Sequence, residues 1–450
     1  MKIAIIGAGP AGLAAGWRLA RAEVPVDVFE AGPEIGGLAR SVDVFGFRVD
    51  LGSHIFTSAD ARVHAAWDEA IGDEWKEVAV RRGILCETGV VVDYPIRPLS
   101  LPGAIGMAKT LKCVAGFARA SFRPRRVATS ARDVIVQRYG EPLFEAFFRG
   151  YGEKYLGLPT DQIDPTFARS VAGDSPPDTR GRRSSFLRRL LGEEIKNRAG
   201  QDDYNPQAFR WPKRGSGEIW LGLERIIRAA GSQIHLRTPV TRIDAEDGQV
   251  CSIETGAGVI PCDHVISSMP LPLLCKTLRA PYSFPAELGK GLKMRSTVLV
   301  YLLIKADQVM AHSWVYVYTP GQLVGRITNF GMWLGIDGGE TLLSCEYWCA
   351  EGDPVWVKGD DELLALASEE LRGCGVCPGA TVNQGSVLRV KGTHPAFERG
   401  YQERTNIVWE QLAKIRGLQS VGRHGQFGLS TVGASMKMGI QAAEKIIAGG

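Results

Sequence analysis

The chain has 450 residues, a net charge of +4, 45% hydrophobic and 23% charged residues. That length suits two or three domains, and that balance excludes a disordered, collagenous or coiled-coil protein. Glycine, at 54 residues, stands well above its average of roughly 7%, which points to tight turns and to backbone brought close to a ligand.

The chain opens on a short apolar, β-branched run at residues 2–6, followed directly by Gly7-Ala8-Gly9-Pro10-Ala11-Gly12. Leu13, Ala14, Ala15, Trp17, Leu19 and Ala20 continue with helical character, and a second strand at 24–29 ends in Glu30 and Ala31. Strand, glycine turn, helix and second strand form the context that makes GxGxxG a dinucleotide fingerprint. Gly7 permits the turn, Gly9 lets backbone approach a pyrophosphate, and Gly12 lets the helix pack on the strand. The helix start at Pro10 and Ala11 offers N–H groups and positive dipole to phosphate. Glu30, about 20 residues on, can accept hydrogen bonds from ribose hydroxyls. The fingerprint alone fits either NAD or FAD.

Beyond it lies Glu34-Ile35-Gly36-Gly37-Leu38-Ala39-Arg40-Ser41, where two glycines leave room for backbone beside phosphates and Arg40 offers charge. Residues 94–200 carry 19 Lys or Arg against 10 Asp or Glu, a local balance of +9 that leaves −5 elsewhere. Such a basic third attracts phosphates, nucleic acid or an anionic membrane, or is simply solvated helix face. Helical-period runs at 131–139 and 142–151 make 101–198 a helical insertion, and 173–183 reads as a turn-rich connector. Residues 217–230 read as helix, 234–236 and 240–243 as strands, and 264–270 as a buried strand ending in a turn. From 294 the texture turns to alternating strands at 297–304, 314–318, 323–330 and 341–349, an antiparallel sheet, with an amphipathic helix at 360–371. The C-terminus reads as a strand at 418–422, then Arg423-His424-Gly425, then a helix from Ser435 through Gly439, Ala442 and Ala443.

Other chemistry lacks support. No GxSxG, HExxH or P-loop occurs, so serine, zinc and ATP hydrolysis are not expected. Nine scattered cysteines argue against a disulfide framework and fit a cytoplasmic protein. Cys374 and Cys377 form one CxxC without a second pair at zinc spacing, so no metal is expected. The longest apolar run, 298–304, is far short of the roughly 18 residues of a membrane helix, and no secretory leader opens the chain. Basic residues are not interleaved with aromatics in a nucleic-acid module. The expected partner is a small molecule, with no transmembrane segment and peripheral membrane contact left open.

Several motifs carry a family resemblance. The Gly36-Gly37 segment resembles the second glycine motif of FAD enzymes in the amine oxidase and protoporphyrinogen oxidase superfamily. Gly422-Arg423, Ser435 and Gly439 resemble that group's GR…G…AA ending. Leu51-Gly52-Ser53-His54-Ile55-Phe56-Thr57 is similar to the GPHIFHT-type segment of the UDP-galactopyranose mutase family. Residues 149–159 resemble its YTxKxWGxxP stretch, 211–217 its aromatic-Pro…GG segment, and 325–330 its TRxxE-like motif. The anchors run in order from residue 7 to residue 443.

The resemblance implies an α/β fold: a Rossmann-like FAD-binding domain of the GR2 type, with a helical insertion and an antiparallel β-sheet substrate domain. The expected bounds are 1–95 with 205–285 and 415–450 for the FAD domain, 96–204 for the insertion, and 286–414 for the sheet, a roof over the flavin. It implies noncovalent FAD, with Val240 giving backbone contacts on the adenine side. It places His54 by the reactive edge of the flavin, as charge-tuner or proton relay; a turn-capping histidine is the plain alternative. It makes Arg326 and Arg169 candidates for holding a diphosphate in paired contacts, with an ion pair as the alternative for each. Lys154, Trp211, Lys213 and Arg214 are weaker candidates, and Arg295 and Tyr347 stand on strands that could face a cavity.

The sequence also departs from the mutase pattern. Leu156 stands for the tryptophan of the WG pair, Gly433 and Ala434 for the aspartate and histidine of DHS, and Asn329 for the TRxxE acid, which argues against mutase activity. With a single GxGxxG, the flavin's redox partner is oxygen, an external carrier or the substrate itself. The leading expectation is an FAD-dependent oxidoreductase taking hydride from a small sugar- or phosphate-bearing biosynthetic substrate, nucleotide- or lipid-linked. One alternative is a redox-neutral, UDP-galactopyranose mutase-like isomerase using reduced flavin. Another, from a different class, is a flavin-free binding protein like the GDP-dissociation inhibitors.

Overall fold

The apolar run at the N-terminus forms the strand Ile3–Ile6, buried along its whole length. The computed structural model describes residues 1–450 apart from 173–207 and positions 95, 97, 125, 280, 285–287, 290, 337 and 450, so the 173–183 connector lies outside the described residues. The chain divides into two units: Met1–Val78, Asp202–Lys293 and Tyr401–Gly450 in one, Ala79–Gln201 and Met294–Gly400 in the other.

In the first unit Ile3–Ile6 is central to a five-stranded parallel sheet. His264–Ser267 and then Leu418–Ser420 lie to one side, Asp27–Phe29 and then Gln233–His235 to the other. Parallel pairing requires crossover connections, and three distant chain segments supply them. The helix Pro10–Ala20 is buried on nearly every side, which its small residues permit. A Cβ on Gly16 would lie 2.9 Å from Ile227 Cδ1 of the helix Gly217–Ala229. One on Gly439 of the helix Val432–Gly449 would lie 1.9 Å from Ala11 O. Side chains such as Ile5, Leu13 and Val28 are fully buried in this core, each worth roughly 1.5–3 kcal/mol of transfer free energy. A separate antiparallel sheet is formed by Val240–Glu246, Gln249–Thr255 and Gly258–Pro261.

The second unit is built on a seven-stranded sheet. Its order is Thr381–Pro395, Met294–Lys305, Glu340–Cys349, Arg326–Asn329, Trp314–Val317, Arg82–Leu85 and Val91–Asp93. All pairs are antiparallel except Trp314–Val317 with Arg82–Leu85. Three differences from the expected bounds follow, the first being that 401–414, expected with the sheet, belongs to the first unit. Residues 79–94 belong to the second unit rather than the first, because Arg82–Leu85 and Val91–Asp93 extend this sheet. The helical insertion and the sheet, expected as separate domains, cluster in one unit.

The insertion's helices include Met107–Phe122, Ala131–Tyr139, Glu141–Phe147, Arg149–Leu156 and Pro165–Ala172. Ser130 and Asp133 cap Ala131–Tyr139 reciprocally. Gly140 (φ +84) permits the sharp turn there, where a Cβ would lie 2.6 Å from Gly116 backbone. The run expected at 142–151 is two helices, broken at Phe148. The strand expected at 323–330 is only Arg326–Asn329, because the Asn329 side chain accepts from Met332 N and starts the helix Phe330–Leu334.

Candidate functional site

The glycine turn of the first unit has the geometry its sequence demands. Gly7 has φ +93, and a Cβ on it would lie 2.3 Å from Ser268 Oγ. On Gly12 a Cβ would lie 1.9 Å from Gly7 O, so only glycine brings helix and strand this close. Gly9 differs. It is the N-cap of Pro10–Ala20, with no side-chain cap, and a Cβ on it would meet only Gly37 Cα, at 3.9 Å. A helix start without a side-chain cap and with open space beside its N-cap is a natural anion cradle.

Gly36 (φ +93) and Gly37 (φ +54) both need the left-handed region, and Gly36 N donates to Ala8 O at 2.7 Å, tying the second glycine motif to the first. Leu38 lies in the short turn Gly37–Ala39. Glu30 Oε2 accepts from Ala8 N at 2.8 Å and Oε1 from Gly32 N at 2.7 Å. A carboxylate has about four lone-pair sites, so each oxygen keeps one for a ribose hydroxyl. Ala31 is exposed. Arg40 Nη1 donates to Gly37 O at 2.8 Å and its Nε lies 3.7 Å from Glu34, which orients its guanidinium beside the glycines. Val240 is buried at the start of its strand, opposite Thr255.

The C-terminal motif joins the same turn. Gly422 (φ +78) brings the chain so near the Pro10–Ala20 helix that a Cβ would lie 3.0 Å from Ala11 Cβ. Arg423 Nε is buried with no hydrogen-bond partner among the described residues, a donor awaiting an acceptor. The final helix begins at Val432, earlier than expected, and Ser435 Oγ lies 2.9 Å from Ser430 Oγ. His54 is half-buried on the segment that joins the strand Phe47–Asp50 to the helix Ala61–Ile71. The cradle's open side and the buried Arg423 donor both fit an ADP-bearing cofactor.

Trp211 is not a stacking platform. It is buried, and its Nε1 donates to Asp50 Oδ2 at 3.2 Å. Asp50, which the sequence reading missed, also accepts from Ser41 Oγ at 2.7 Å, Ser216 N at 2.9 Å and Ser216 Oγ at 2.7 Å. Burial still pushes its carboxyl above the usual range. Lys213 and Arg214 form exposed ion pairs with Glu74 and Glu218.

In the second unit the strands bring an ion pair and a set of rings together. Arg326 and Glu346 face each other across neighbouring strands, and Arg326 Nε and Nη2 donate to the two Glu346 oxygens at 2.7 Å each. Burial works against the Arg326 charge, but the Glu346 carboxylate more than offsets it and holds the guanidinium above its ordinary pKa. Tyr151 lies 5.5 Å from Tyr155, 5.6 Å from Tyr316, 5.3 Å from Tyr318 and 5.8 Å from Trp348. All five rings are partly exposed. Gly150 allows this, since a Cβ there would lie 2.7 Å from Tyr318 O. Glu346, Tyr151 and Tyr316 were missed, although Tyr151 and Tyr155 stand at i, i+4 and Tyr316 and Tyr318 at i, i+2, the spacings that put pairs on one face.

The remaining candidates are not gathered there. Lys154 Nζ donates to the carbonyls of Val317, Thr319 and Val324 at 2.8–3.3 Å, and burial pushes it down to about 8. It clamps a loop. Arg295 donates to Trp348 O at 3.0 Å and lies 3.5 Å from Asp353, with burial lowering its pKa. Tyr347 points into the apolar core, where burial pushes its hydroxyl well up. Strand alternation leaves Glu346 and Trp348 on the opposite face. Arg169 is exposed on Pro165–Ala172 without an ion-pair partner among the described residues. Cys374 and Cys377 are buried thiols of the same core, and burial pushes Cys374 up to about 12.

Comparison with known proteins adds a sequence signal over most of the chain. The model of the family described as flavin containing amine oxidoreductase matches residues 10–373. Protoporphyrinogen oxidase 2, chloroplastic/mitochondrial, of Arabidopsis thaliana is 27% identical over 188 residues, 41% of this chain and 35% of that relative. The chain thus aligns with about a third of that protein's length. Among solved structures, reduced UDP-galactopyranose mutase superposes with a TM-score of 0.83 at 20% identity, covering 100% of this chain and 96% of that one. Putrescine oxidase bound to putrescine superposes at 0.65 and 15% identity, covering 99% of each. At these identities the structural likeness is one of fold.

Proposed function

The chain belongs to the flavin containing amine oxidoreductase family, an enzyme family that carries FAD, and from that premise we propose that it oxidises a small, hydroxyl-rich biosynthetic substrate of the sugar class. FAD supplies the two-electron acceptor for the substrate hydride. In this reading Gly9 and Gly37 leave the approach to the pyrophosphate open, Glu30 accepts from the ribose, Arg423 Nε donates to the cofactor, and His54 holds or relays the proton released on oxidation. The second unit is the substrate unit.

The observation that carries the substrate class is the Arg326–Glu346 pair among Tyr151, Tyr316 and Trp348. An unpaired arginine would favour a diphosphate. Here Glu346 takes up Arg326 Nε and Nη2 and neutralises the charge, which argues against a diphosphate at this point, while the partly exposed rings beside the pair offer flat apolar faces to a sugar's C–H edges. A phosphate elsewhere on the substrate is compatible with Arg169, which is exposed.

Anaerobic mixing tests this reading. Sugar nucleotides and free sugars are expected to remove the oxidised-flavin absorbance, and simple diamines are not. Bleaching by amines alone would overturn the substrate class. Conversion of a sugar nucleotide only after dithionite reduction, with no bleaching before it, would favour the redox-neutral isomerase.

A further inference from the structure

We propose that the outward face of the helix Met107–Phe122 binds the anionic surface of a lipid bilayer. This helix buries Thr110, Cys113 and Phe117, which stand at i, i+3 and i+7 and form its inner stripe. On a surface helix the solvent-facing side is ordinarily polar. Here it carries Met107 at 61% exposure, Leu111 at 63%, Val114 at 38% and Phe122 at 56%. Their spacing of i, i+4, i+7 and i+15 places them on one stripe. Leu99, 95% exposed, and Val127, 90% exposed, continue the apolar character on either side of the helix in sequence. Scattered exposed apolar residues need no explanation, but a continuous row marks an interaction surface.

Charge selects the partner. Lys112, Arg119 and Arg123, at i, i+7 and i+11, run alongside the apolar stripe and are exposed. Lys109 is set apart by its pair with Glu87 at 2.9 Å. From Tyr94 to Arg132 the sequence has eight Lys or Arg and no Asp or Glu. A solvated helix mixes both signs along its face; this one pairs a bare apolar row with an exclusively basic flank. That combination matches a surface with anionic headgroups above and acyl chains below, in which such a helix sinks roughly 5–10 Å. No helix among the described residues is long and apolar enough to cross a membrane, so the attachment is by lying on the surface.

Co-sedimentation of the FAD-loaded protein with vesicles tests the proposal. The wild type is expected to pellet with vesicles of phosphatidylcholine mixed with phosphatidylglycerol, to bind pure phosphatidylcholine much more weakly, and to be released by salt. The variant K112Q/R119Q/R123Q is expected to lose roughly a hundredfold in binding to the anionic vesicles. M107Q/L111Q/V114Q is expected to lose at least roughly tenfold on both compositions. Both variants should keep the flavin content and unfolding transition of the wild type, since the changed side chains are exposed. Wild type that stays in the supernatant with anionic vesicles overturns the proposal, as do variants that pellet like wild type. Light scattering that shows a dimer dissociated by M107Q/L111Q/V114Q, without vesicle binding, would assign the stripe to a second copy of the chain instead.

Discussion

Gly9→Val separates cofactor binding from folding. Gly9 has φ −81 and ψ −176, extended backbone that valine adopts without strain. A Cβ there meets one heavy atom within 4 Å, Gly37 Cα at 3.9 Å. The branched side chain therefore enters the open space at the helix start, not the core. The structural cost is that of a poorer N-cap, about 1 kcal/mol. Gly12→Ala is the opposite case. Its Cβ would lie 1.9 Å from Gly7 O and 3.2 Å from Ile5 Cγ2, so helix and strand must part, at roughly 1–3 kcal/mol or more. Gly9→Val is expected to fold, with its apoprotein within about 1 kcal/mol of apo wild type in urea. It should nevertheless retain less than about a tenth of the FAD, a loss of at least 1.4 kcal/mol in binding. Gly12→Ala should lose flavin together with stability. Flavin released by acid, counted per chain, and circular dichroism of urea-treated apoprotein measure the two effects separately. A Gly9→Val protein that purifies with full FAD would refute the cradle.

Acid precipitation of the wild type should release FAD into the supernatant; FMN there, or flavin held in the pellet, would contradict noncovalent binding of an ADP-bearing cofactor. Arg326→Ala leaves Glu346 buried without its bidentate partner, so unfolding free energy should fall by roughly 3–5 kcal/mol. Arg326→Ala/Glu346→Gln should recover part of that loss, and a single variant as stable as wild type would show the pair to be idle. Asp60 caps Ala61–Ile71, and its hydrogen bond from Arg62 lowers its pKa from 3.8 to about 2. A depressed carboxylate stabilises the fold above its unfolded pKa and loses that contribution as pH falls through the folded one. Asp60→Asn keeps the cap, so it should cost about 1–2 kcal/mol near pH 7, after discounting for the partly exposed Arg62. That gap should close between about pH 4 and pH 2 in chemical denaturation; a gap that persists at pH 2 would exclude the charge as its source.

The first unit was legible because its requirements are local. Gly7, Gly12 and Gly36 each answer a positive φ or a backbone approach within a few residues of themselves, and such demands leave a fixed spacing in the sequence. The second unit was less legible because its requirements are set across strands. Whether Glu346 or Tyr347 reaches the polar face is a question of parity, and parity depends on register with Arg326 and Val298, partners far away in the chain. A shift of one residue along a strand moves a side chain to the opposite face, so Tyr347 lies in the core while Glu346 reaches Arg326. Lys154 is a different case: it is expected at a site from the resemblance carried by 149–159, and nothing local reveals three carbonyls more than 160 residues on.

The departures from the mutase pattern acquire a physical reading as well. Asn329, where the resemblance places the acid of the TRxxE-like motif, is buried: its Nδ2 donates to Met310 O at 3.1 Å while its Oδ1 accepts from Thr341 Oγ1 at 2.6 Å and from Met332 N at 3.3 Å. A carboxylate there would lose the donated bond and bury a charge without a cation. Gly433 is constrained by contact. A Cβ on it would lie 2.2 Å from Thr57 O and 3.1 Å from Ser58 Cβ, so neither aspartate nor alanine fits while the loop holds its position. That loop carries His54, three residues before Thr57. The loop at Thr57 and Ser58 therefore packs where a side chain at the start of the helix Val432–Gly449 would stand.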